Sequence, residues 1–384
     1  MPEIADKLEL RSMIIESLKG QGFVIDGLQL LSPVNLDKHS VRELHATAVK
    51  HRQDRSEKGL KKYEDRLLAR LADGQQVNPQ AISPRLVEIT PDSDDELLFR
   101  YAALHWSIPI SSGYGRRLRF LVIDEHNDKL MGIFGLADPV FNLGARDQWI
   151  GWDKETAMRR LRHVMDIFVL GAVPPYASLL CGKLIGLLAT SDEVRQAVIR
   201  KYSDRKSLIA GTAADASLAL LTTTSALGRS SIYNRLKFQE RLAYMSVGFT
   251  KGYGDFHFAN GLYSAISKYA AHYLKPTAKQ AAWGTGFRNR REVVRKCLAH
   301  LGLSEEWLNH GVRREVFVIP LAKNTQEFLR GEQSELQEFH QPVADIFGFF
   351  RERWLIPRSR WDQRYKEWNP EQWRLWDPWS GADA

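Results

Sequence analysis

The amino-acid sequence predicts a mixed α/β (α+β) fold, in which a central mixed sheet is flanked by helices and extended by helical regions at both ends. Three observations support this prediction. Residues 1–80 space their apolar side chains for helices, residues 81–257 alternate strand-like and helical patterns, and residues 258–384 return to helical spacing with one further strand. A chain of 384 residues with 44% hydrophobic and 26% charged residues fits a large packed protein.

The N-terminal region, residues 1–80, is predicted to form two helical segments. The stretch 6–23 has apolar residues at helical spacing and two glycines at its end, and the longer stretch 37–74 ends at a glycine. The segment 75–84 then reads as a linker. Because the middle of the longer helix is dense in lysine and arginine, it is a candidate surface for phosphates.

The core region, residues 81–257, is predicted to supply the sheet. An acidic first turn, which suits the helix dipole, marks the start of its first helix. The Pro-Pro sequence and the serine-rich turn mark two strand-to-helix corners. The predicted elements are a strand at 85–90, a helix at 92–106, a hairpin at 118–140, a helix at 153–164, a strand–corner–helix unit at 165–190, a second such unit at 218–238 and a strand at 243–254.

The C-terminal region, residues 258–384, is predicted to be mostly helical, with helices near 260–274 and 289–303 and a strand at 314–321. Six of the eleven tryptophans lie between Trp354 and Trp379. These rings are of a type that stacks on bases, but packing against the domain itself or against a partner protein is the favoured interpretation.

The net charge of +8 and the isoelectric point near 9.3 suit a polyanionic partner. Cys181 and Cys297 lie in apolar helical patterns and are predicted to be buried, and no Cys/His spacing indicates a metal site. The sequence shows neither a secretory signal nor eighteen consecutive apolar residues. It therefore predicts a cytoplasmic protein without a membrane span.

Two strand-to-helix corners resemble motifs of the GNAT acyltransferase superfamily. "VLGAVPPYASLLCGKLIGLL" (169–188) is similar to that superfamily's fourth strand and following helix, and "SALGRSSIYNRLKF" (225–238) is similar to its next motif. The resemblance implies a GNAT-like core whose two parallel strands separate, so that backbone N–H groups at the corners hold the phosphates of coenzyme A. The chain departs from the pattern in "YASLLCG", where leucines replace spaced glycines.

The resemblance implies a set of site residues at these corners. Tyr233 would reprotonate the thiolate leaving group as a general acid, although packing of its ring on the sheet is the favoured alternative. At the second corner, helix capping by serine is the alternative to anion binding. The residues implied to bind an anion or cofactor are Ala172, Val173, Tyr176 and Ser178 at the first corner, and Ser225, Arg229 and Ser230 at the second.

Three loops combine glycine with basic residues, in the stretches 111–120, 248–258 and 284–296. The second of them offers Tyr253 and His257 beside Lys251. Flexible glycine loops with lysine and arginine suit phosphate contacts, and their recurrence indicates nucleic acid. The last of these loops opens the helix predicted near 289–303. With the basic helix, the predicted nucleic-acid contacts are Arg52, Arg55, Lys61, Lys62, Arg116, Arg117, Arg146, Lys251, Arg288, Arg290 and Arg291.

The string "RDQWIGWD" (146–153) admits two interpretations. Arg146 and the two tryptophans line a groove or stack bases, or Arg146 and Asp147 form a clamp with two structural tryptophans, which is favoured. Asp138, Asp147 and Asp153 raise the idea of a magnesium or acid–base site. A solvated turn is the favoured interpretation for each of them.

The strings "RDQWIGWD", "FVLGAVPPYASLLCGKLIGLLATSDEV", "TSALGRSSIYNRLKF" and "VGFTKGYGD" together resemble the family of Druantia anti-phage defence protein A. The same core is also similar to a domain attached to some transposases. By motif, the resemblance covers Leu118–Asp255. It implies a component of a bacterial defence system, with other proteins of that system as partners.

Three functions follow as hypotheses. The first is a defence component whose GNAT-like core no longer uses coenzyme A and binds nucleic acid, DNA or RNA. The second is an acyltransferase with acetyl-coenzyme A as its cofactor. The third is a scaffold for other defence proteins, docked through the tryptophan-rich tail. The sequence leaves open whether any reaction is catalysed and whether the chain forms homo-oligomers.

Overall fold

The computed structural model describes residues 5–33, 37–110, 115–203, 216–228, 230, 232–276 and 287–378, except for the side chains of Phe287 and Arg288. The strands are β1 Val24–Asp26, β2 Gln29–Leu31, β3 Pro84–Glu88, β4 Arg117–Asp124, β5 Lys129–Ala137, β6 Val164–Ala172, β7 Leu220–Thr224, β8 Lys237–Phe238, β9 Arg241–Leu242, β10 Met245–Phe249 and β11 Glu315–Pro320.

The α-helices lie between and after these strands, and a π-helical segment, Arg351–Leu355, joins the last two of them. They are α1 Lys7–Gly20, α2 Lys38–Leu60, α3 Glu64–Leu68, α4 Asp94–Ala103, α5 Gly144–Ile150, α6 Lys154–Arg160, α7 Cys181–Leu188, α8 Asp192–Tyr202, α9 Leu262–Tyr273, α10 Phe287–His300, α11 Thr325–Arg330, α12 Val343–Phe350 and α13 Ile356–Trp361.

Within the described residues, seven strands form one mixed sheet in the order β10-β11-β7-β6-β5-β4-β3. Each neighbouring pair is antiparallel except β6 and β7, which run parallel. The predicted mixed α/β fold with a central sheet is therefore confirmed. Strand β11, which follows β10 by 65 residues, inserts between β7 and β10 and makes β10 an edge strand.

The sheet buries both faces because alternate side chains along its strands enter different cores. On one face, Met165 and Leu221 pack with α7 and α12 in the largest core. On the other face, Val164 and Leu220 pack with α5 and α11. Farther along that face, toward β3, the core is shared with α4 and the tail of the chain.

A helical module outside the sheet combines the two ends of the chain. Leu10 and Ile14 of α1, Ile266 of α9, and Val294 and Leu298 of α10 share one buried cluster. The amphipathic N-terminal helix thus packs against helices from the predicted C-terminal region. The predicted boundaries at residues 80 and 257 therefore do not coincide with separate cores.

The tryptophan-rich tail packs back on the domain as far as the structure describes it; Trp379 lies outside the described residues. Trp376 is 8% exposed and fills the core beneath α4, where its ring lies 6.1 Å from that of Tyr101. The buried carboxylate of Glu64 accepts a hydrogen bond from the backbone N–H of Leu375 at 2.7 Å. By contrast, Trp361 is 68% exposed.

Two helix predictions are wrong in detail. The helix expected within 225–238 is one turn followed by β8, because Arg235 adopts a left-handed conformation (φ 62°) that stops helical propagation. The long helix expected over 37–74 ends as α2 at Leu60, and after a 3-10 turn it resumes as the short α3. Helix α8 and the hairpin β1–β2 were not expected.

Three buried histidines, His45, His257 and His310, lie around Phe256, where α2 meets the loops on either side of α9 and α10. Burial lowers the pKa of His45 to about 3, of His257 to about 4 and of His310 to about 3. The half-buried guanidinium of Arg314, 3.3 Å from Nε2 of His45, adds to this effect. These imidazoles are therefore neutral in the folded protein at neutral pH.

The fold should lose stability as the pH falls from about 6.5 toward about 4. In this window the unfolded chain takes up protons on these histidines and the folded chain does not, so unfolding is favoured by acid. Burial also lowers the pKa of His105 to about 4, so four imidazoles act in this direction. Burial raises the pKa of Asp166 to about 6, and this one carboxyl acts in the opposite direction. Urea unfolding at about pH 7.5 and about pH 5 measures the difference.

His45→Gln should weaken this pH dependence by about one proton, whereas His39→Gln, at a position whose side chain is 78% exposed, should leave it unchanged. Equal unfolding midpoints at the two pH values would contradict the assignment.

Trp376→Ala should lower the free energy of unfolding by about 3 kcal/mol, because it empties a buried aromatic site. Trp361→Ala, a matched change at an exposed position, should cost less than about 1 kcal/mol. Denaturant unfolding of both variants gives the comparison. Similar losses in the free energy of unfolding for the two variants would show that the tail does not pack in the core as described.

Candidate nucleic-acid interface

The parallel strands β6 and β7 separate soon after they start. They pair only through Val164, Met165 and Asp166 of β6, opposite residues 220–222 of β7. Beyond this point β6 continues to Ala172 with β5 as its hydrogen-bonded neighbour. The divergence required for a ligand wedge is therefore present in the sheet.

Aromatic side chains of the main core pack beside the joint of β6 and β7. Tyr233 stacks on Tyr244 with ring centroids 4.9 Å apart and contacts Phe317 edge to face at 5.3 Å. These residues belong to the main core, together with Leu179, which is fully buried. The described residues show no cleft for coenzyme A at this joint, so the acyltransferase hypothesis stays a prediction.

Tyr233 is 9% exposed, and its hydroxyl lies within hydrogen-bond reach of Thr223. Burial raises the pKa of Tyr233 to about 12, and the nearby Asp166 adds to the rise. Asp166 itself accepts a hydrogen bond from Thr222 at 2.8 Å. Tyr233 is therefore protonated at neutral pH, and its ring packs on the sheet as the favoured interpretation expected.

The first corner is closed by the chain itself. Val173 and Tyr176 are fully buried, and the Tyr176 hydroxyl donates to Asp124 at 2.9 Å. The carbonyl of Ser178 accepts from Arg358 of α13 at 3.0 Å. Ala172 is partly buried against the same core. The C-terminal segment thus covers the corner that the resemblance implied for phosphate.

At the second corner the serines serve the local backbone. The Ser225 hydroxyl donates to the carbonyl of Gly228, and the Ser230 hydroxyl accepts from the N–H groups of Ile232 and Tyr233 at 3.2 and 3.1 Å. This capping arrangement is the alternative that the sequence left open. Arg229 lies outside the described residues.

Arg146 and Asp147 form the clamp that was the favoured interpretation. The guanidinium of Arg146 is fully buried, bonds the carboxylate of Asp147 at 2.7 and 2.8 Å, and donates to the carbonyls of Val140 and Phe141. The Trp152 indole N–H donates to the same carboxylate at 3.1 Å. Arg146 therefore orders the loop before α5 and presents no surface to a phosphate.

The basic residues predicted to contact nucleic acid lie on several different elements. Arg116 bonds Asp138 at 2.6 Å, and Arg117, at the start of β4, is exposed. On α2, Arg52 donates to the carbonyl of Ile110 and Arg55 is exposed. Farther on, Lys61 pairs with Glu57, and Lys62 lies over the ring of Tyr63.

Lys251, Arg290 and Arg291 lie near the end of β10, because Arg291 contacts the Tyr253 ring and Arg290 pairs with Asp255, two and four residues after Lys251. From residue 249 to residue 253 every second side chain points outward, so that Phe249, Lys251 and Tyr253 are exposed. Phe249 is 52% and Tyr253 46% exposed. We name the segment 249–253 the ribbon.

Arginines lie over the aromatic rings of the ribbon. The Arg313 guanidinium lies 5.3 Å from the centre of the Phe249 ring, and that of Arg291 lies 5.4 Å from the centre of the Tyr253 ring. These distances permit cation–π attraction. Arg290 pairs with Asp255 at 2.9 Å. We name the ribbon with Arg290, Arg291 and Arg313 the ribbon surface.

The ribbon is held rigidly against the chain that leads into β11. Thr250 N–H donates to the Arg314 carbonyl at 2.8 Å, and Gly254 N–H donates to the Leu308 carbonyl at 2.9 Å. Gly252 adopts φ +73°, and a Cβ there would lie 2.8 Å from the backbone of Gly311. Glycine at 252 is therefore required for the two segments to approach.

Sequence reasoning identified Lys251 and Tyr253 but missed Phe249 and Arg313. The period-2 pattern Phe-x-Lys-x-Tyr was visible and could have indicated one exposed face. The placement of Arg313 over a ring 64 positions earlier had no local signal. His257, which the sequence offers as a candidate contact in the same loop, is buried, and its Nε2 lies 2.9 Å from the Trp307 carbonyl. The Arg288 side chain lies outside the described atoms.

No three His, Cys, Asp or Glu residues in the described part of the chain converge as metal ligands. Asp153, one of the carboxylates considered for such a site, caps α6 by accepting from Thr156 N–H at 2.7 Å. Cys181 and Cys297 are buried and free, as predicted. Within the described ranges, no helix has the length and apolar character needed to cross a bilayer.

Fold and surface together define a mixed α/β protein with a basic, aromatic ribbon at one edge of its sheet. The family model described as Druantia protein DruA matches residues 35–331. A curated relative, Druantia protein DruA of Escherichia coli (strain UMEA 4076-1), is 36% identical over 361 residues, covering 94% of this chain and 89% of the relative. The chain therefore belongs to the Druantia DruA family of anti-phage defence proteins. No solved structure matches it significantly.

Asp147→Asn should destabilise the fold by about 3 kcal/mol, because it leaves the buried charge of Arg146 without its carboxylate. The matched control is Glu155→Gln, which breaks the Arg159–Glu155 pair whose side chains are 63% and 81% exposed. That control should cost less than about 0.5 kcal/mol. Denaturant unfolding compares the two, and equal costs would refute the clamp.

Proposed function

We propose that this protein acts in anti-phage defence by binding nucleic acid, DNA in particular, through the ribbon surface. One observation carries the proposal: the ribbon presents Phe249, Lys251 and Tyr253 on one side, with arginines over both rings. Cations that meet phosphates beside rings that can stack on bases are the chemistry of nucleic-acid binding.

The charges at this surface are available to a ligand. Among the residues that the structure describes, neither Lys251 nor Arg313 has a carboxylate within ion-pair distance, and both are exposed. Asp255 offsets part of the positive charge by pairing with Arg290 and Arg291. The whole-chain charge of +8 favours approach of a polyanion to this side as to others.

Other basic segments give weaker support. On α2 and the 3-10 turn after it, lysines pair with carboxylates, as in the Lys50–Asp54 and Lys61–Glu57 pairs. The guanidinium groups of Arg116 and Arg146 donate hydrogen bonds to neighbouring carboxylates and carbonyls. The scaffold hypothesis stays a prediction, and the packing of Trp376 against the protein's own core removes that ring from a docking role.

The test is fluorescence anisotropy of a labelled DNA oligonucleotide, offered as single strand and as duplex, at increasing salt. The affinity should fall steeply with salt because bound cations release counterions. The double variant Lys251→Ala/Arg313→Ala should weaken binding and reduce the salt slope by about two.

The control is Lys323→Ala/Arg360→Ala, which removes the same charge at exposed positions on other elements. It should retain the wild-type slope. Binding to neither form of DNA at low salt, or an equal loss in the control, would refute the proposal.

A further inference from the structure

We infer that the ribbon surface binds unpaired bases, so that its ligand class is single-stranded nucleic acid. The inference rests on the proposed function and goes beyond it, because phosphate contacts alone do not distinguish a single strand from a duplex. The distinction comes from the two exposed rings.

Phe249 and Tyr253 do not fill a core. Each exposes about half of its surface, although Tyr244, just before β10, and Phe258, in the turn after the ribbon, are buried. Exposed rings beside arginine gain little from phosphates, whereas each can stack on the face of a base. A duplex hides base faces within its stack and offers phosphates and groove edges instead. The rings therefore favour a ligand with accessible base faces.

The spacing along the ribbon supports the same conclusion. Lys251 lies midway along the four-residue step from Phe249 to Tyr253, and Gly252, at φ +73°, bends the backbone between Lys251 and Tyr253. The order along the ribbon is therefore ring, cation, ring. This arrangement lets two separated bases stack while the intervening backbone phosphate meets the lysine. In a duplex, successive bases stack at about 3.4 Å, and their faces are closed to such rings.

The arginines and the backbone prepare the rings for stacking. Arg313 and Arg291 each lie over one ring and restrict its orientation. The contacts of Thr250 and Gly254 to the segment before β11 fix the ribbon backbone. Because the rings are placed before the ligand arrives, less conformational entropy is lost on binding.

The experiment compares single-stranded and duplex DNA of equal length and sequence by anisotropy at one salt concentration. Wild-type protein should bind the single strand at least about tenfold more tightly. Phe249→Leu/Tyr253→Leu keeps apolar side chains but removes the ring faces. It should weaken single-strand binding by at least about tenfold and weaken duplex binding much less, so that the single-strand preference is lost.

Two further variants separate stacking from folding defects. Phe249→Tyr should keep the single-strand preference because it keeps the ring. Trp361→Leu, at an exposed aromatic outside the ribbon surface, should have no effect. Equal or tighter duplex binding, or a leucine variant that binds as wild type does, would overturn the inference while the proposed function stands. Binding to neither form would instead defeat the proposed function.

Discussion

The short parallel pairing of β6 and β7 is the constraint on which the described sheet depends. It joins an antiparallel meander, β3 to β6, to the three strands β7, β11 and β10 through three residue pairs. Two side-chain contacts reinforce the joint: Thr222 donates to Asp166, and Thr223 donates to the carbonyl of Ile167. Without the three residue pairs and these two contacts, the attachment of β7, β11 and β10 to the meander would depend on core packing alone.

Aromatic side chains also pack beside the joint, where the backbones of β6 and β7 no longer pair. Tyr233 packs on Tyr244 and Phe317 beside this joint, and the Tyr244 hydroxyl donates to the Gly186 carbonyl of α7 at 2.8 Å. On the opposite face, the buried Arg146 orders the loop before α5, which packs beside β10. The divergence that could have held a cofactor thus serves to fix the outer strands.

The attachment of the outer strands to the sheet determines where the ribbon surface lies. The ribbon continues from β10, the edge strand, and its other side rests on the chain that enters β11. The cluster of His45, His257 and His310 lies directly behind it and joins the helical module to the same loops. Exposed rings and cations are thereby carried on a rigid support between the sheet and the helical module.

The sequence predicted the elements that local patterns govern and missed those that distant partners govern. The hairpin pattern of β4 and β5, the strand–corner–helix pattern that contains β6, and the spacing in α9 and α10 placed these elements correctly. The insertion of β11 beside β7 and the stacking of Tyr233 on Tyr244 arise from packing between distant segments. For the candidate site, Lys251 and Tyr253 were readable from a glycine-rich loop. The burial of His257 was not, because charge and residue type alone do not reveal burial, whereas the Arg146–Asp147 clamp was the favoured interpretation of its string. The most direct measurement is photocrosslinking of the protein to a single-stranded oligonucleotide with photoreactive bases, followed by mapping of the crosslinked peptides. Crosslinks concentrated at residues 249–253 are expected, and crosslinks confined to other segments, such as α2, would contradict the central claim.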